Sequence, residues 1–487
     1  MKIFEKIKRF IRRIFVDYGE INRIFDNNVK ALEEKISNHI ATTNENEKRR
    51  EDIIENIKEE QQQITNSIEE ENRDLRNRIE AVNTELKSLK EQFKYSNTEL
   101  LNIKHDKSVN NILLVGFYGA PNLGDELMLE TLLEYLENIP NKKITILLAD
   151  NPAYSIDKYK DVRFIHYPKT LYDFNVIAEQ FDYIIFGGGA IIDDSHYDKE
   201  NSYQYDIGTI FIKLSIRAIA FNKKVICIAL SASEEILNTE YLEELKYIIQ
   251  NSHYFSVRDD FTKKYLIEKL GDEYGKKIIK IHDIVFANKE ILNNIVQNRV
   301  QKDILNIGII AITNEDKHEK IQTIITAIKN LKKETNINLI PFYDYGHIDK
   351  KNYYKICDNN KDIKINIEKY PENMIQTIDL CKKNDIIIGM RYHSILISNA
   401  LNIPCISICY DIHSHYPYKI KYLNKTFEKN DALSYINLDE KDIYRELQNV
   451  LNNNNNNLEL SKQILIKAEE QLNNIIDSTF NINNRKT

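Results

Sequence analysis

The feature that most restricts the fold of this chain is a set of eight apolar runs, separated by helix-like patterns, that begins near residue 109. They form two series of four, which in chain order are NILLVGF, KITILLA, FDYIIFGGG and KKVICIAL, then LNIGIIAIT, INLIPFYD, NDIIIGM and IPCISICY. Runs that are apolar throughout, rather than at alternate positions, are typical of parallel strands covered by helices on both faces. The two series therefore predict an α/β fold with two doubly wound, Rossmann-like domains, at residues 105–295 and 296–450.

The sequence before these domains follows another pattern. Within residues 1–27, the apolar residues of positions 2–18 share one helical face, and six lysines and arginines fill the other. This predicts a basic amphipathic helix, which suits either the surface of an anionic membrane or a partner protein. Residues 28–104 contain neither glycine nor proline, which favours a long helix.

The second part of that long helix carries a heptad seam. Apolar residues recur along this part at alternating intervals of four and three positions, and Asn72 occupies the one position of the pattern that is not apolar. The apolar positions are Ile68, Leu75, Ile79, Val82, Leu86, Leu89 and Phe93. A single apolar stripe on a long helix needs a partner to bury it, so we expect a coiled coil that joins copies of the chain into a homo-oligomer. Ile57 and Ile64 fall out of this register, which indicates a stutter. The alternative is a solvated helix whose stripe is incidental.

Composition excludes several functions and locations. A formal charge of −7 over 487 residues gives no general attraction to nucleic acid. Five cysteines without C-x-x-C spacing indicate free thiols in a reducing compartment. No apolar run is long enough to span a bilayer and the N-terminus lacks a signal peptide, so we expect a cytoplasmic protein, peripheral to the membrane at most. Residues 451–487 are predicted to be an asparagine-rich linker and a final helix.

The loop after the first apolar run is the first candidate for chemistry, because ligands of doubly wound sheets bind at the carboxyl ends of strands. It reads GFYGAPNLGDELML, with Asn122, Gly124 and Asp125, and it is neither G-x-G-x-x-G nor a P-loop. An aspartate at a helix start would repel a phosphate there. Asp125 therefore argues against a phosphate site in this loop, and the simplest alternative is that it only caps the helix.

Three further segments follow apolar runs. Gly187, Gly188 and Gly189 form a glycine loop that permits close approach of a ligand, or a simple tight turn. Arg258 ends a short strand, where its guanidinium can bind a carboxylate or phosphate through two parallel hydrogen bonds. The alternative is a surface salt bridge, which is the more common role of an Arg-Asp pair. Arg391 and His393 directly follow NDIIIGM, where a guanidinium and an imidazole can bind an anion and transfer a proton.

In order and spacing over residues 109–415, these segments resemble the polysaccharide pyruvyl transferase family. The resemblance is carried by GFYGAPNLGDELML, FGGGAIIDD, SVRDD, IHDIVF with Asp283, and GMRYHSILISNALNIPCISICYD. It implies a two-domain fold like that of GT-B glycosyltransferases, with the active site in the cleft between the domains. It also implies phosphoenolpyruvate as donor, a sugar diol on a glycan or its precursor as acceptor, a cyclic pyruvate ketal as product, and no cofactor.

By this resemblance, Arg258 and Arg391 match the donor-binding arginines and His393 matches the catalytic histidine. The donor carries a carboxylate and a phosphate, which two arginines can hold and orient. His393 is expected to act first as a general acid, because ketal formation requires protonation of the enol methylene carbon. The residues expected to bind donor or acceptor are Asn122, Gly124, Asp125, Gly187, Gly188, Gly189, Asp283, Tyr392 and Tyr410.

The sequence departs from the family at two places. Ser231, Ala232 and Ser233 stand where the family has a Gly-Pro turn, and His413 and His415 stand where it often has a lysine. The H-x-H pair has no evident third ligand, so we interpret it as a polar loop and predict no metal site.

Two other functions compete with this interpretation. A nucleotide-sugar glycosyltransferase would have the same architecture, but no acidic pair in the late loops of the second domain is placed to hold a ribose. A non-catalytic coiled-coil scaffold of a glycan-assembly complex would be expected to have lost Arg258, Arg391 or His393, and all three are present.

Overall fold

The structure is a computed structural model, and it describes fifteen stretches of the chain: residues 23, 26–35, 54–55, 57–67, 105–149, 159, 161–168, 171–197, 206–232, 235–297, 303–312, 318–343, 348–410, 415–452 and 457–481. The chain divides into two compact units, residues 1–91 and 92–487. In the first unit, residues 26–35 and 57–67 are helical. The predicted basic helix of residues 2–18 and the predicted heptad seam of residues 68–93 lie outside the described residues.

The larger unit contains two parallel sheets, and the first has seven strands in the order β3-β2-β1-β4-β5-β6-β7. Its strands are β1 (Asn110–Tyr118), β2 (Lys142–Leu148), β3 (Arg163–His166), β4 (Tyr183–Ile192), β5 (Lys224–Ala232), β6 (Tyr254–Val257) and β7 (Ile279–Lys280). The central strands are buried on both faces, as their continuous apolar runs predict.

The second sheet has six strands in the order β10-β9-β8-β11-β12-β13. Its strands are β8 (Leu305–Ile310), β9 (Thr335–Leu339), β10 (Lys364–Ile367), β11 (Ile386–Gly389), β12 (Cys405–Cys409) and β13 (Leu433–Ser434). Both sheets thus share one doubly wound order, in which the direction of winding reverses between the first and fourth strands of the set. The predicted α/β class with two parallel sheets is confirmed.

Helices of the larger unit cover both sheets. They are α1 (Leu123–Leu136), α2 (Leu171–Gln180), α3 (Ile207–Ala220), α4 (Thr239–Asn251), α5 (Asp260–Leu270), α6 (Lys289–Asn293), α7 (His318–Lys329), α8 (Ile348–Asp358), α9 (Met374–Lys382), α10 (Tyr392–Ala400), α11 (Tyr416–Thr426), α12 (Glu440–Asn452) and α13 (Leu458–Phe480). Two short 3-10 helices, Asp272–Lys276 and Ile284–Ala287, flank β7. Within the described residues, none of the helices combines the length and the apolar character needed to cross a membrane.

One hydrophobic core runs between the two sheets. It contains α1 residues such as Leu127, second-domain residues such as Ile310 of β8 and Phe342 after β9, and the buried face of α13. Helix α13 follows the second domain in sequence but returns to the first sheet, where the ring of Phe480 packs at 4.4 Å from that of Tyr183. The two sheets are therefore held together by shared apolar packing, which positions the loops between them.

Candidate active site

The candidate residues gather at the point where the strand order of each sheet reverses. Asn122 to Asp125 follow β1, next to β4 in the first sheet, and Arg391 to His393 follow β11, next to β8 in the second. This edge is where doubly wound sheets bind ligands. The loop after β1 meets the second domain, since Gly124 lies against His393 and the backbone N–H of Leu123 donates to the carbonyl of Phe342, after β9, at 3.0 Å.

Arg258 and Asp283 form a buried ion pair on the first domain. Arg258 directly follows β6, and its Nη1 donates to Oδ2 of Asp283 at 2.8 Å, with both residues at most 5 % exposed. Oδ1 of Asp283 accepts from the N–H of Val285 and so caps the 3-10 helix after β7. The Arg258 guanidinium lies over the ring of Tyr392 at 4.2 Å. Its buried Nε has no hydrogen-bond partner among the described residues, so this donor can serve a ligand.

His393 lies in the first turn of α10, beside this ion pair. Its Nε2 is 3.8 Å from Oδ2 of Asp283 and, although this atom is buried, no described residue is hydrogen-bonded to it. Burial lowers the pKa of His393 to about 4; Arg258 adds to the shift, and Asp283 opposes it. The imidazole is therefore neutral at neutral pH. In this state it can accept a proton, which differs from the first role expected for it, that of a general acid.

Arg391 occupies the N-cap position of α10, where its guanidinium is fixed by the second domain. Its Nη2 donates to both carboxylate oxygens of Asp349, at 3.1 and 3.3 Å, and its Nε donates to the carbonyl of Ala311 at 3.2 Å. The guanidinium also lies 5.2 Å from the ring centre of Tyr343. The Nη1 group makes no hydrogen bond to any described residue, so this nitrogen remains available to donate to a ligand.

Gly124 brings the start of α1 against His393. A Cβ atom at this position would lie only 2.0 Å from Nδ1 of the imidazole, far inside van der Waals contact. Gly124 therefore permits a close approach between the two domains, whereas the sequence led us to expect it to permit the approach of a ligand.

Asp125 is buried beside this contact and is 8 % exposed. The side-chain amide of Asn122 donates to its Oδ2 at 2.6 Å. Burial raises the pKa of Asp125 to about 7; Arg258 opposes the shift, while Glu126 and Asp283 reinforce it. The alternative that Asp125 only caps the helix is wrong, because the N-cap of α1 is Asn122 and Asp125 is the third helical residue.

The three glycines do not form the predicted loop after a strand. Gly187, Gly188 and Gly189 lie inside β4, which continues to Ile192 past a shift in its pairing with β5. Gly188 and Gly189 have φ angles of 84° and 92°, where a side chain would be strained. A Cβ at Gly188 would lie 2.6 Å from the sulfur of Met128. The glycines thus let α1 pack closely on β4.

Of the two tyrosines expected to bind donor or acceptor, one lies in the site and the other does not. Tyr392 lies in the site, with its ring beneath Arg258 and edge-on to His393 at 5.2 Å. Tyr410 instead packs against Tyr435 in the core of the second sheet.

The interpretation of His415 as part of a polar loop is wrong, because its ring is buried against Phe261 and Tyr265. His413 lies outside the described residues, and Ser231 and Ala232 end β5.

Sequence reasoning missed two residues of the site. Asp349 is completely buried and holds Arg391, and it follows the run INLIPFYD, whose carboxyl end lies at the same sheet edge. Tyr416 donates to the carbonyl of Met390 at 2.7 Å, and burial raises its pKa although both Arg391 and Arg258 lower it. A search of every loop that follows a predicted strand would have found Asp349. Among the described residues there is no cluster of three or more His, Cys, Asp or Glu side chains suited to a metal ion.

Comparison with known proteins gives one matching family model and several solved structures of similar fold. A family model described as polysaccharide pyruvyl transferase matches residues 122–412. Comparison with curated protein sequences gave no match.

Several solved structures are similar at low identity. UDP-bound MnaA of S. aureus has a TM-score of 0.50 at 10 % identity, over 77 % of this chain and 98 % of that one. Alr3699/HepE of Anabaena with UDP-glucose has a TM-score of 0.47 at 10 % identity, over 76 % of this chain and 99 % of that one. UDP-GlcNAc 2-epimerase of Methanocaldococcus jannaschii has a TM-score of 0.45 at 13 % identity, over 73 % of this chain and 98 % of that one. The likeness to MnaA agrees with the predicted GT-B-like fold and concerns the fold alone.

Proposed function

This chain belongs to the polysaccharide pyruvyl transferase family, and on that premise we propose that its site transfers the enolpyruvyl group of phosphoenolpyruvate to two hydroxyls of one sugar. The acceptor is a sugar of a cell-surface polysaccharide or its precursor. The product is a pyruvate ketal, and inorganic phosphate leaves. No cofactor takes part in this proposal.

The observation that carries the proposal is the pair of guanidinium groups with unused donors beside an unpartnered imidazole. Within the part of the chain that the structure describes, no group is hydrogen-bonded to Nε of Arg258, Nη1 of Arg391 or Nε2 of His393. Phosphoenolpyruvate has two anionic groups, a carboxylate and a phosphate, and arginine binds both through charge-assisted hydrogen bonds. A buried donor without a partner is costly, so a ligand that supplies the missing acceptor is held tightly.

Two carboxylates support this site without facing the donor. Asp283 orients Arg258, and Asp349 orients Arg391, each through a contact of 3.1 Å or less. The aspartates also compensate the buried positive charge when no ligand is bound. We therefore assign Asp283 a positioning role rather than direct contact with substrate, and we add Asp349 as its counterpart on the second domain.

Calorimetric titration of the full chain with phosphoenolpyruvate tests the proposed donor whatever the acceptor is. We expect binding that Arg391→Ala weakens by about 10- to 100-fold, the loss expected for one or two charge-assisted hydrogen bonds. Arg391→Lys keeps a cation beside the buried Asp349 but removes the fork, so it separates lost recognition from lost folding. Arg445→Ala is the matched control, because Arg445 is exposed and pairs only with Asp442 on α12.

Three results would distinguish the competing functions. Loss of affinity in both Arg391 variants but not in Arg445→Ala supports the proposed donor. Binding of UDP-glucose together with failure to bind phosphoenolpyruvate would replace it with a nucleotide-sugar transferase. Failure to bind either ligand would contradict the proposed site.

A further inference from the structure

The chemistry of the proposed function requires two groups that carry protons. Each of the two sugar hydroxyls that attack C2 of phosphoenolpyruvate loses a proton. One proton must be delivered to C3, which becomes a methyl group, and one leaves with the phosphate. A neutral imidazole can take the first hydroxyl proton, but it cannot at the same moment protonate C3. A second side chain, already protonated near neutral pH, is needed for that step.

Most carboxylates around His393 are committed to other partners. Asp283 accepts from Arg258 and from a backbone N–H. Asp349 accepts from Arg391 and from the backbone N–H of Tyr343. Each also forms an ion pair with a guanidinium, so its oxygens are engaged as acceptors within the protein.

Two nearby acids are also engaged. Both oxygens of Asp259 accept from Thr262 at the start of α5. Glu126 accepts from the backbone N–H of Gly119 and fixes the loop after β1. Neither group is left to exchange protons with a ligand.

Asp125 differs from all four. Its one hydrogen bond within the described chain comes from the neutral amide of Asn122, and no cation among the described residues makes an ion pair with it. Its Oδ1 lies over the glycine segment of β4, 3.3 Å from where a Cβ of Gly189 would be. The preceding residue, Gly124, touches the imidazole of His393. Asp125 therefore directly follows the residue that contacts His393, and the Arg258–Asp283 ion pair acts electrostatically on both side chains.

We propose that Asp125 is the second proton carrier of this site, acting opposite His393; the assignment rests on the proposed function. In the first step, the Asp125 carboxylic acid gives its proton to C3, and the C2=C3 electron pair forms the new C–H bond. The first sugar hydroxyl bonds to C2, and its proton passes to His393. The product of this step is a tetrahedral phosphate ketal, with an imidazolium and a carboxylate beside it.

The second step restores both groups. The bond between C2 and the phosphate oxygen breaks, and the phosphate leaves with the imidazolium proton. The second sugar hydroxyl bonds to C2, and its proton passes to the Asp125 carboxylate. Asp125 is then protonated and His393 neutral, so the site is ready for another donor and no external acid or base is consumed.

The protonation state of Asp125 is directly measurable in the free full chain. We expect an infrared band of a carboxylic acid that disappears as the pH rises through about 7 and that is missing from Asp125→Asn. The titratable or charged side chains that interact electrostatically with Asp125 are Tyr118, Glu126, Tyr167, Arg258 and Asp283. Glu126→Gln is the control and should keep the band, whereas a spectrum of the wild-type chain without it would overturn the proposal.

Turnover separates a proton carrier from a binding residue. As acceptor we would use the glycan and lipid-linked glycan fraction extracted from cells whose only copy of the chain is His393→Ala, with phosphate release from phosphoenolpyruvate as readout. Asp125→Asn is close in shape to the protonated acid, so it should bind phosphoenolpyruvate as the wild type does. Its turnover should fall by about 10²–10⁴-fold, and the decline of wild-type activity above neutral pH should be lost.

Each outcome bears on one claim. Retained donor binding with lost turnover supports Asp125 as proton carrier. Wild-type turnover and an unchanged pH profile in Asp125→Asn would overturn it, even if the proposed donor is right. A wild-type chain that shows the carboxylic acid band but binds no phosphoenolpyruvate would overturn the proposed function instead.

Discussion

At the scale of single residues, the contact between Gly124 and His393 sets the geometry of the site. The ring and the backbone of α1 touch because Gly124 has no Cβ; Gly124 is buried, and the side chain of His393 is 14 % exposed. Any larger residue at this position must displace the imidazole or separate the two loops.

Gly124→Ala should therefore impair catalysis more than folding. A methyl group 2.0 Å from Nδ1 overpacks the interface, which costs about 1–3 kcal/mol of unfolding free energy. Displacing the imidazole by about 1 Å should lower turnover by about 10²-fold. Thermal unfolding and phosphate release measure the two effects. Gly275→Ala is the control, since its Cβ would meet only the flexible end of Ile267; full activity in Gly124→Ala would refute this interpretation of the contact.

The sequence suffices to find the chemistry-bearing residues but not their ionisation. Arg258, Arg391 and His393 are recognisable because each follows a buried run at the edge where ligands bind. The neutral state of His393 and the raised pKa of Asp125 arise from burial between two domains that are distant in sequence. Periodicity within one segment carries no information about such burial.

At the scale of elements, helix α1 links the two sheets. Its first residue, Leu123, contacts the loop after β9, and about two turns further on the carboxylate of Glu130 accepts from the backbone N–H of Met374 at 3.1 and 3.2 Å. Met374 begins α9, so Glu130 places an anion at a helix N-terminus of the other domain.

Removing this cap should destabilise the pairing of the domains. We expect Glu130→Ala to lower the free energy of unfolding by about 1 kcal/mol, the usual effect of losing a side-chain cap. Glu134→Ala on the same helix removes only a partly exposed pair with Lys289 and should cost less than about 0.5 kcal/mol. Denaturant unfolding of both variants measures the difference; equal stability losses would show that Glu130 is an ordinary surface charge.

Long elements are predictable from the sequence, and short edge strands are less so. The eight apolar runs correspond to β1, β2, β4, β5, β8, β9, β11 and β12. Edge strands such as β10 have exposed and half-buried residues and therefore lack a continuous apolar signal. The glycines of β4 were misread as a loop, because glycine is typical of turns, although here the strand continues past its irregular pairing.

At the scale of the whole larger unit, the two sheets share a core and a returning helix. Helix α13 is hydrogen-bonded to both domains, since Ser461 donates to the carbonyl of Asn399 and Lys224 donates to the carbonyl of Thr479. A large apolar contact restricts relative motion of domains. We infer that the site residues from both domains are held in place before substrate binds, as preorganised catalysis requires.

The most direct test of the central claim is the pyruvate content of the cell-surface polysaccharide. Polysaccharide would be purified from cells that carry the wild-type chain and from cells that carry His393→Ala at the same expression level, and ketal-linked pyruvate released by mild acid would be measured. The assay works whichever sugar is the acceptor. We expect pyruvate from the wild-type polysaccharide and none from the variant, whereas equal pyruvate in both would contradict the account.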